Sequence, residues 1–417
     1  MAVWLRRAFP SARVGTKRSG QAGLASASNP IYVCDLDEEP VQNYKPGGYH
    51  PVQLGDKLSG GRYKILHKLG WGGFSTVWAA RDEEKGLNIA LKISQAAASG
   101  NTRELQTLRF LRDDSSSHPG FEHLAKLHHV FQIKGPNGTH DCLALDLTGP
   151  SIQDYFIRHV DGQRLPGPLA KTFARRTLEA LSCLHARGIC HGDLHNNNLA
   201  IGVPKLAHVN EHEICEILGK PRKEPISRSD GGKLDPNVPP YIVKPSSFSL
   251  KDYLDHEDLK LVDFGASFQD QLRPQSLLNP PVIRAPEQFF GDMLDYRVDL
   301  WSMGCTLFEL ICGQTPFESG NRTPESIVKQ MIYTIQDEFP DRWQDKRLAL
   351  EEHHPKSASS SLQKWLSVLY FDSEEKADFS REEIEQVGEL ISRLLRFEPK
   401  SRASADEILQ DPWFADG

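Results

Sequence analysis

The chain has 417 residues, of which 39% are apolar and 25% charged, with a formal net charge of −7. This is the composition of a globular protein long enough for two or three domains or one large two-lobed one, and it makes no general case for binding nucleic acid directly. Seven cysteines without CxxC pairs argue against a zinc site and for a reduced intracellular compartment, and no run nears the roughly eighteen apolar residues of a membrane-spanning helix.

Residues 1–34 stand apart. Arg6, Arg7, Arg13, Lys17 and Arg18 are the only charges before Asp35, and Ser, Ala and Gly fill much of the rest. Such a segment reads either as a disordered basic tail or as a mitochondrial transit peptide. Residues 35–62 are rich in Pro and Gly, including Tyr44-Lys-Pro-Gly-Gly-Tyr-His-Pro51, and read as an extended lead-in.

From Tyr63 the pattern becomes strand-like, is interrupted by Gly70-Trp71-Gly72-Gly73, and resumes at Phe74-Ser-Thr-Val-Trp78. A glycine hairpin is commonly only a hairpin. Its tip can also lie close over a phosphate, because no Cβ blocks the backbone N–H groups. In Leu87-Asn-Ile-Ala-Leu-Lys-Ile93, period-two alternation puts Leu87, Ile89, Leu91 and Ile93 on one face and Ala90 and Lys92 on the other. Residues 102–111 read as a helix with Glu104 in its first turn, where a carboxylate suits the helix dipole whatever else it does. Two further strands flank the turn Lys134-Gly-Pro-Asn-Gly138, and Gly149-Pro150 marks a hinge.

Beyond the hinge the chain turns helical. A helix over 169–186 ends at Gly188 and delivers His191-Gly192-Asp193-Leu194-His195-Asn196-Asn197-Asn198. Short Asp/Asn clusters are usually turns. An Asp in such a loop can also take a proton from an attacking hydroxyl, and an Asn five residues on can hold a divalent metal. Residues 203–257 carry a dense set of prolines and read as an insertion with one short helix, Glu211–Leu218, otherwise irregular and exposed. Then follow Leu259-Lys-Leu-Val-Asp-Phe-Gly265, Arg284-Ala-Pro-Glu287, a buried helix from Asp299 to about Cys312, and an amphipathic helix through Val387, Leu390, Ile391, Leu394 and Leu395. Pro399-Lys-Ser-Arg402 and the closing Pro412-Trp-Phe414 end the pattern.

The ordered set Gly70/Gly72, Lys92, Glu104, Asp193/Asn198, Asp263-Phe264-Gly265, Ala285-Pro286-Glu287, Asp299 and Arg402 resembles the eukaryotic protein-kinase domain over residues 63–414. Each piece is weak alone; eight in the right order are not. Tyr44 to Pro51, Lys68-Leu-Gly-Trp-Gly-Gly-Phe-Ser-Thr-Val-Trp78, the insertion and Arg396-Phe-Glu-Pro-Lys-Ser-Arg402 resemble the SR-protein kinase branch, its fungal members in particular.

The resemblance implies an α+β, two-lobed fold: a small antiparallel β-rich N-lobe with one helix (63–149), then a larger, mainly helical C-lobe (150–414) interrupted by the insertion 203–257. It implies a monomeric serine/threonine kinase using ATP and Mg2+ on a protein substrate rich in Arg and Ser, in cytoplasm or nucleus, or in the mitochondrion if the N-terminus is a transit peptide. Leu69, Gly70, Trp71, Gly72, Gly73, Phe74, Ser75, Thr76 and Val77 would cover the phosphates. Lys92, oriented by Glu104, would bind the α- and β-phosphates. Ala90 and the backbone at Asp146 and Thr148 would meet adenine. Asn198 and Asp263 would hold magnesium, Asp193 would deprotonate the acceptor, and Glu287 and Arg402 would form a buried ion pair.

Three positions depart from the family pattern, of which Ser75, in place of the third glycine of the hairpin, is a mild change. Gly192 stands where most kinases have the Arg that pairs with a phosphorylated activation loop, so a constitutively competent loop is expected. His195 replaces a Lys beside the transferred phosphate, and a mostly neutral imidazole implies slower transfer. The alternatives are a weakly active, scaffold-type kinase domain that binds nucleotide, and a small-molecule kinase, whose catalytic loop His-Gly-Asp-Leu-His also resembles. Asp337, Glu338, Asp341 and Asp345 would supply an acidic docking groove, or else a solvated face.

Overall fold

The computed structural model describes residues 31–100, 102–114, 117–159, 164–246, 253–317, 323–351, 361–372 and 377–415; the basic segment 1–30 lies outside them. The chain divides into two compact units. The first gathers the described residues up to Gly100, Leu127–Leu147 and the described part of 204–252; the second takes 102–126, 148–203 and everything from Tyr253 on.

In the first unit, six antiparallel strands lie in the order Lys57–Leu58, Tyr63–Gly72, Ser75–Asp82, Leu87–Ser94, Gly138–Asp146, Leu127–Gly135. Short turns join most of these neighbours, which is what an antiparallel sheet requires. Alternation works as expected: Ile89, Leu91 and Ile93 pack with Tyr63, Ile65, Trp78, Ala80, Cys142 and Ala144 on one face, while Ala90 and Lys92 take the other.

The insertion differs from its expected irregularity. Glu211–Leu218 is helical as read, with Asn210 accepting from the Glu213 amide at its N-terminus. Beyond it, Lys223–Pro225 pairs with Tyr241–Val243, and Ile226, Val238 and Ile242 are buried with Val41, Tyr44 and Tyr49 of the lead-in. Tyr32–Val33 also pairs with Ser227–Arg228. Lead-in and insertion thus make a second small core of the first unit. Pro and Gly hide its periodicity, because its apolar residues come singly from loops.

The second unit is helical. Gly167–His185 buries Ala170, Phe173, Ala174, Leu178 and Leu181 and packs on Arg297–Cys312 and Ala405–Leu409. Arg297–Cys312 is buried almost all round, so it shows no amphipathic stripe. Arg381–Leu394 starts at a capping box, the Ser380 hydroxyl accepting from the Glu383 amide and the Glu383 carboxylate from the Ser380 amide. A three-stranded antiparallel sheet, Asp255–Leu261, Leu199–Gly202, Thr148–Ser151, completes the unit.

The Arg402 guanidinium grips Glu287 with both ends, at 2.7 and 2.6 Å, and donates to the carbonyls of Arg396 and Arg297. Both side chains are buried, and the guanidinium carbon lies 5.2 Å from the Trp301 ring centre. Removing one partner strands a buried charge, at a cost of about 3–5 kcal/mol. Glu287→Ala is therefore expected to lower the denaturant midpoint by that equivalent; a loss below about 1 kcal/mol in equilibrium unfolding would contradict this role.

Candidate active site

In the first unit, Tyr63–Gly72 pairs with Ser75–Asp82 so that Gly70 faces Val77, Trp71 faces Thr76 and Gly72 faces Ser75, enclosing the two-residue turn Gly73-Phe74. The register slips between Lys68 and Gly70, a bulge that re-aims the strand next to Leu69. Leu69, Ser75, Thr76 and Val77 are buried, whereas the Phe74 ring at the tip is 65% exposed. Lys92 faces Val77 on one neighbouring strand and Leu143 on the other, and is buried, as is Ala90 beside it. Asp146 closes its strand opposite Ile89, its carboxylate 2.7 Å from His128 Nε2.

Thr148, Glu104, Asp193, His195, Asn198 and Asp263 belong to the second unit. Thr148 is buried and pairs with Gly202. Glu104 sits in the first turn of Arg103–Asp113, whose N-terminus is capped by Thr102 through the Leu105 amide. It is nonetheless on the buried side of that helix, with Leu105, Thr107, Leu108 and Leu111. The helix is tied to the segment after Asp263: the Ser267 hydroxyl lies 2.8 Å from Thr107 Oγ1 and 2.7 Å from the Phe264 carbonyl.

The loop 191–198 is held from below by Asp299. Its Oδ2 accepts from the His191 amide (2.7 Å) and lies 3.0 Å from His185 Nε2, and its Oδ1 accepts from the Gly192 amide (2.8 Å). Burial opposes ionisation of Asp299, but the hydrogen bond and charge of His185 and the Gly192 amide outweigh it and hold its pKa below the usual carboxylate range. His191, fully buried, donates from Nε2 to the Val262 carbonyl (3.1 Å) and accepts at Nδ1 from the Asp193 amide (3.3 Å), which assigns one neutral tautomer. Gly192 has φ +79°, and a Cβ there would stand 2.6 Å from the Ala266 carbonyl oxygen. No Arg fits this backbone position, which gives the departure at Gly192 a steric cause.

Pairing of Leu199 with Leu261, and a bond from the Val262 amide to the Asn198 carbonyl (3.0 Å), set the start of one strand beside the end of the other. Asn198 and Asp263 are thereby neighbours. Asn198 Nδ2 donates to the Asp193 carbonyl (2.8 Å) and to its Oδ2 (3.2 Å), so the acceptor Oδ1 is left to meet a cation. Asp263 is one of two non-glycine described residues at positive φ (+64°), and its Oδ1 accepts from the Gly265 amide. Strain of this kind collects at functional sites. Among the described residues no three His, Cys, Asp or Glu side chains gather into a metal-holding group. Two oxygen donors suit magnesium, which keeps waters and takes phosphate oxygens for its other positions.

Asp193 Oδ1 is buried without a hydrogen-bond partner; His195 Nε2 lies 3.4 Å away, in ion-pair contact rather than a hydrogen bond. Burial lowers the pKa of His195, but the charge and proximity of Asp193, with Glu309 and Asp263 farther off, raise it above that of a free imidazole. This direction favours the charged form more than in a free imidazole. The Asn197 amide, donating to Nδ1 at 3.2 Å, pulls the other way.

Of the acidic docking residues, Asp337 is committed internally, to the Arg396 guanidinium (2.7 Å) and the Phe397 amide (2.9 Å). Glu338, Asp341 and Asp345 are exposed. His191 stands in the loop motif, but its supporting bonds, and the roles of His185, Thr107 and Ser267, were not legible in the sequence. The last three follow no motif, and only the fold brings His185 to Asp299 and Thr107 to Ser267.

A model of the protein kinase domain matches residues 63–209 and 243–414. The chain is 27% identical over 402 residues to a Physarum polycephalum protein named serine/threonine-protein kinase SRPK, covering 92% of each. It is 25% identical to protein kinase dsk1 of Schizosaccharomyces pombe over 90% of this chain and 85% of that one. Over 173 residues, 40% of this chain and 30% of the relative, it is 36% identical to human SRSF protein kinase 3. With the loop, the two metal-type oxygens and these relatives in view, the chain belongs to the protein kinase family, on the SR-protein kinase branch, and is a serine/threonine-protein kinase.

Proposed function

We propose that the protein transfers the γ-phosphate of Mg-ATP to Ser or Thr hydroxyls in Arg/Ser-rich proteins. The observation that carries the chemistry is Asp193 Oδ1: a buried carboxylate oxygen without a hydrogen-bond partner, with two neighbouring oxygen donors, Asn198 and Asp263, suited to magnesium. Other buried side-chain atoms, Trp301 Nε1 and Thr306 Oγ1 among them, also lack a partner; Asp193 Oδ1 stands apart as a carboxylate oxygen, able to accept a proton from an incoming donor.

Bound Mg-ATP supplies the phosphoryl group and the cation that offsets its charge. Lys92 would bind the α- and β-phosphates, Glu104 being the carboxylate expected to orient it, and the backbone of Gly70–Val77 would cover them. Ala90 and the backbone at Asp146 and Thr148 would take the adenine. Asp193 receives the hydroxyl proton at Oδ1, and the Asn198 amide steadies its other oxygen. His195 lends positive charge beside Asp193 when protonated.

The substrate class is supported by names and by charge. A relative named as a kinase of SRSF proteins shares 36% identity over part of the chain, and the exposed Glu338, Asp341 and Asp345 complement arginine. Transfer to an Arg/Ser-repeat peptide is expected to exceed transfer to a plain basic peptide by about tenfold or more in kcat/KM, a difference of about 1.4 kcal/mol. The triple change Glu338→Gln, Asp341→Asn, Asp345→Asn should erase that preference without lowering kcat. Equal transfer to both peptides by the unaltered chain would discard the Arg/Ser reading, and nucleotide binding without transfer would favour the scaffold. His195→Lys fixes a charge beside Asp193, and kcat is expected to rise about threefold, well within the range of electrostatic effects at such sites. An unchanged kcat would show that the imidazole already suffices.

A further inference from the structure

The kinase reading leaves the lead-in without a task, yet its polar side chains converge on one strand. Glu39 is buried, with both carboxylate oxygens engaged: Oε1 accepts from Tyr44 Oη at 2.8 Å, and Oε2 is paired with the ammonium of Lys68, itself fully buried and 5.9 Å from the Trp78 ring centre. Trp71 Nε1 donates to Glu38 Oε2 at 3.1 Å, and Tyr49 Oη donates to the Gly72 carbonyl at 2.5 Å. Lys68, Trp71 and Gly72 fall within five residues on the strand that enters the glycine hairpin, across its bulge.

The brace is anchored in turn. Asn237 Nδ2 donates to the Tyr44 carbonyl and Asn137 Nδ2 to the Tyr49 carbonyl, while the Ala96 and Ala97 amides donate to the carbonyls of Gly48 and Gly47. All of these residues lie in the first unit.

A buried ion pair is weak evidence for stability, since desolvation offsets most of its attraction; its better-attested use is to fix one arrangement. A glycine-rich hairpin is where fixing matters, because glycine loses more conformational freedom on ordering than any other residue. If that ordering is already done, a ligand binds without supplying it.

We propose that Glu38, Glu39 and Tyr49 are positioning residues for the nucleotide. They hold the backbone of Gly70–Gly72 in the form that receives phosphates, and the lead-in serves as a fixed rear support for the hairpin. This rests on the kinase reading, in which that hairpin covers the phosphates.

The test uses the full chain and two mild variants, Tyr49→Phe, which removes one hydroxyl, and Glu38→Ala, which removes the acceptor of the Trp71 indole from a half-buried position. Tyr63→Phe is the control, deleting a hydroxyl 3.0 Å from His129 Nδ1 at the far end of the same strand. Mg-ADP affinity is measured by calorimetry, alongside KM for Mg-ATP, KM for the acceptor peptide and the unfolding midpoint. Tyr49→Phe and Glu38→Ala should each weaken Mg-ADP binding and raise KM for Mg-ATP about fivefold, the effect of one hydrogen bond, with KM for peptide unmoved. Tyr63→Phe should bind Mg-ADP like the unaltered chain. Unchanged affinity in the two variants would overturn the brace, as would an equal loss in Tyr63→Phe, which would reduce it to general stability. An unaltered chain that binds no Mg-ADP would overturn the kinase reading together with the brace, a result distinct from either.

Discussion

A single buried carboxylate sets the geometry of the loop 191–198. Asp299 presents two oxygens to three donors, and the two backbone amides among them belong to consecutive residues, His191 and Gly192. Such an arrangement fixes the backbone direction just before Asp193. Without it, two buried amides would be left unpaired, at about 1–3 kcal/mol each. The strand end carrying Asp263 is reached by the same route, since His191 bonds the Val262 carbonyl and the Asn198 carbonyl takes the Val262 amide. From one helix residue, the loop and the positions of Asp193, Asn198 and Asp263 are put in register.

That route also explains the glycine at 192. The chain must turn through a left-handed backbone conformation and pass close to the Ala266 carbonyl, so a side chain of any size is excluded. The backbone here leaves no room for the Arg that most kinases carry at this place, and Asp299, itself bonded to His185, holds the loop through the His191 and Gly192 amides. His195 is the second departure, and its surroundings of carboxylates partly offset the loss of a fixed charge.

The fold was largely legible where side-chain periodicity is strong. Alternation at Leu87 to Ile93 placed Lys92 opposite the apolar face, and the helices around Glu104, before Gly188 and through Leu390 are found close to where they were read. Legibility failed where contacts are long-range and single. Tyr44, Tyr49, Ile226, Val238 and Ile242 each look like a stray apolar residue in a Pro/Gly-rich stretch, and only their meeting makes a core. At the site, the residue types of Asp193, Asn198 and Asp263 pointed to a chemistry that is proposed for them, and the structure brings their segments side by side. The hydrogen bonds of the supporting histidines, from His185 to the Asp299 carboxylate across 114 residues of chain and from His191 to the Val262 carbonyl across 71, gave no local signal.

The central claim is that Asp193, held in this loop, takes the proton from the acceptor hydroxyl. It is tested most directly by measuring phosphate transfer from Mg-ATP to an Arg/Ser-repeat peptide, and Mg-ADP affinity, on the unaltered chain and on Asp193→Asn side by side. Loss of a positioned general base predicts transfer slower by about 10²–10⁴-fold with nucleotide affinity unchanged. Transfer by Asp193→Asn within a few-fold of the unaltered chain would contradict the account.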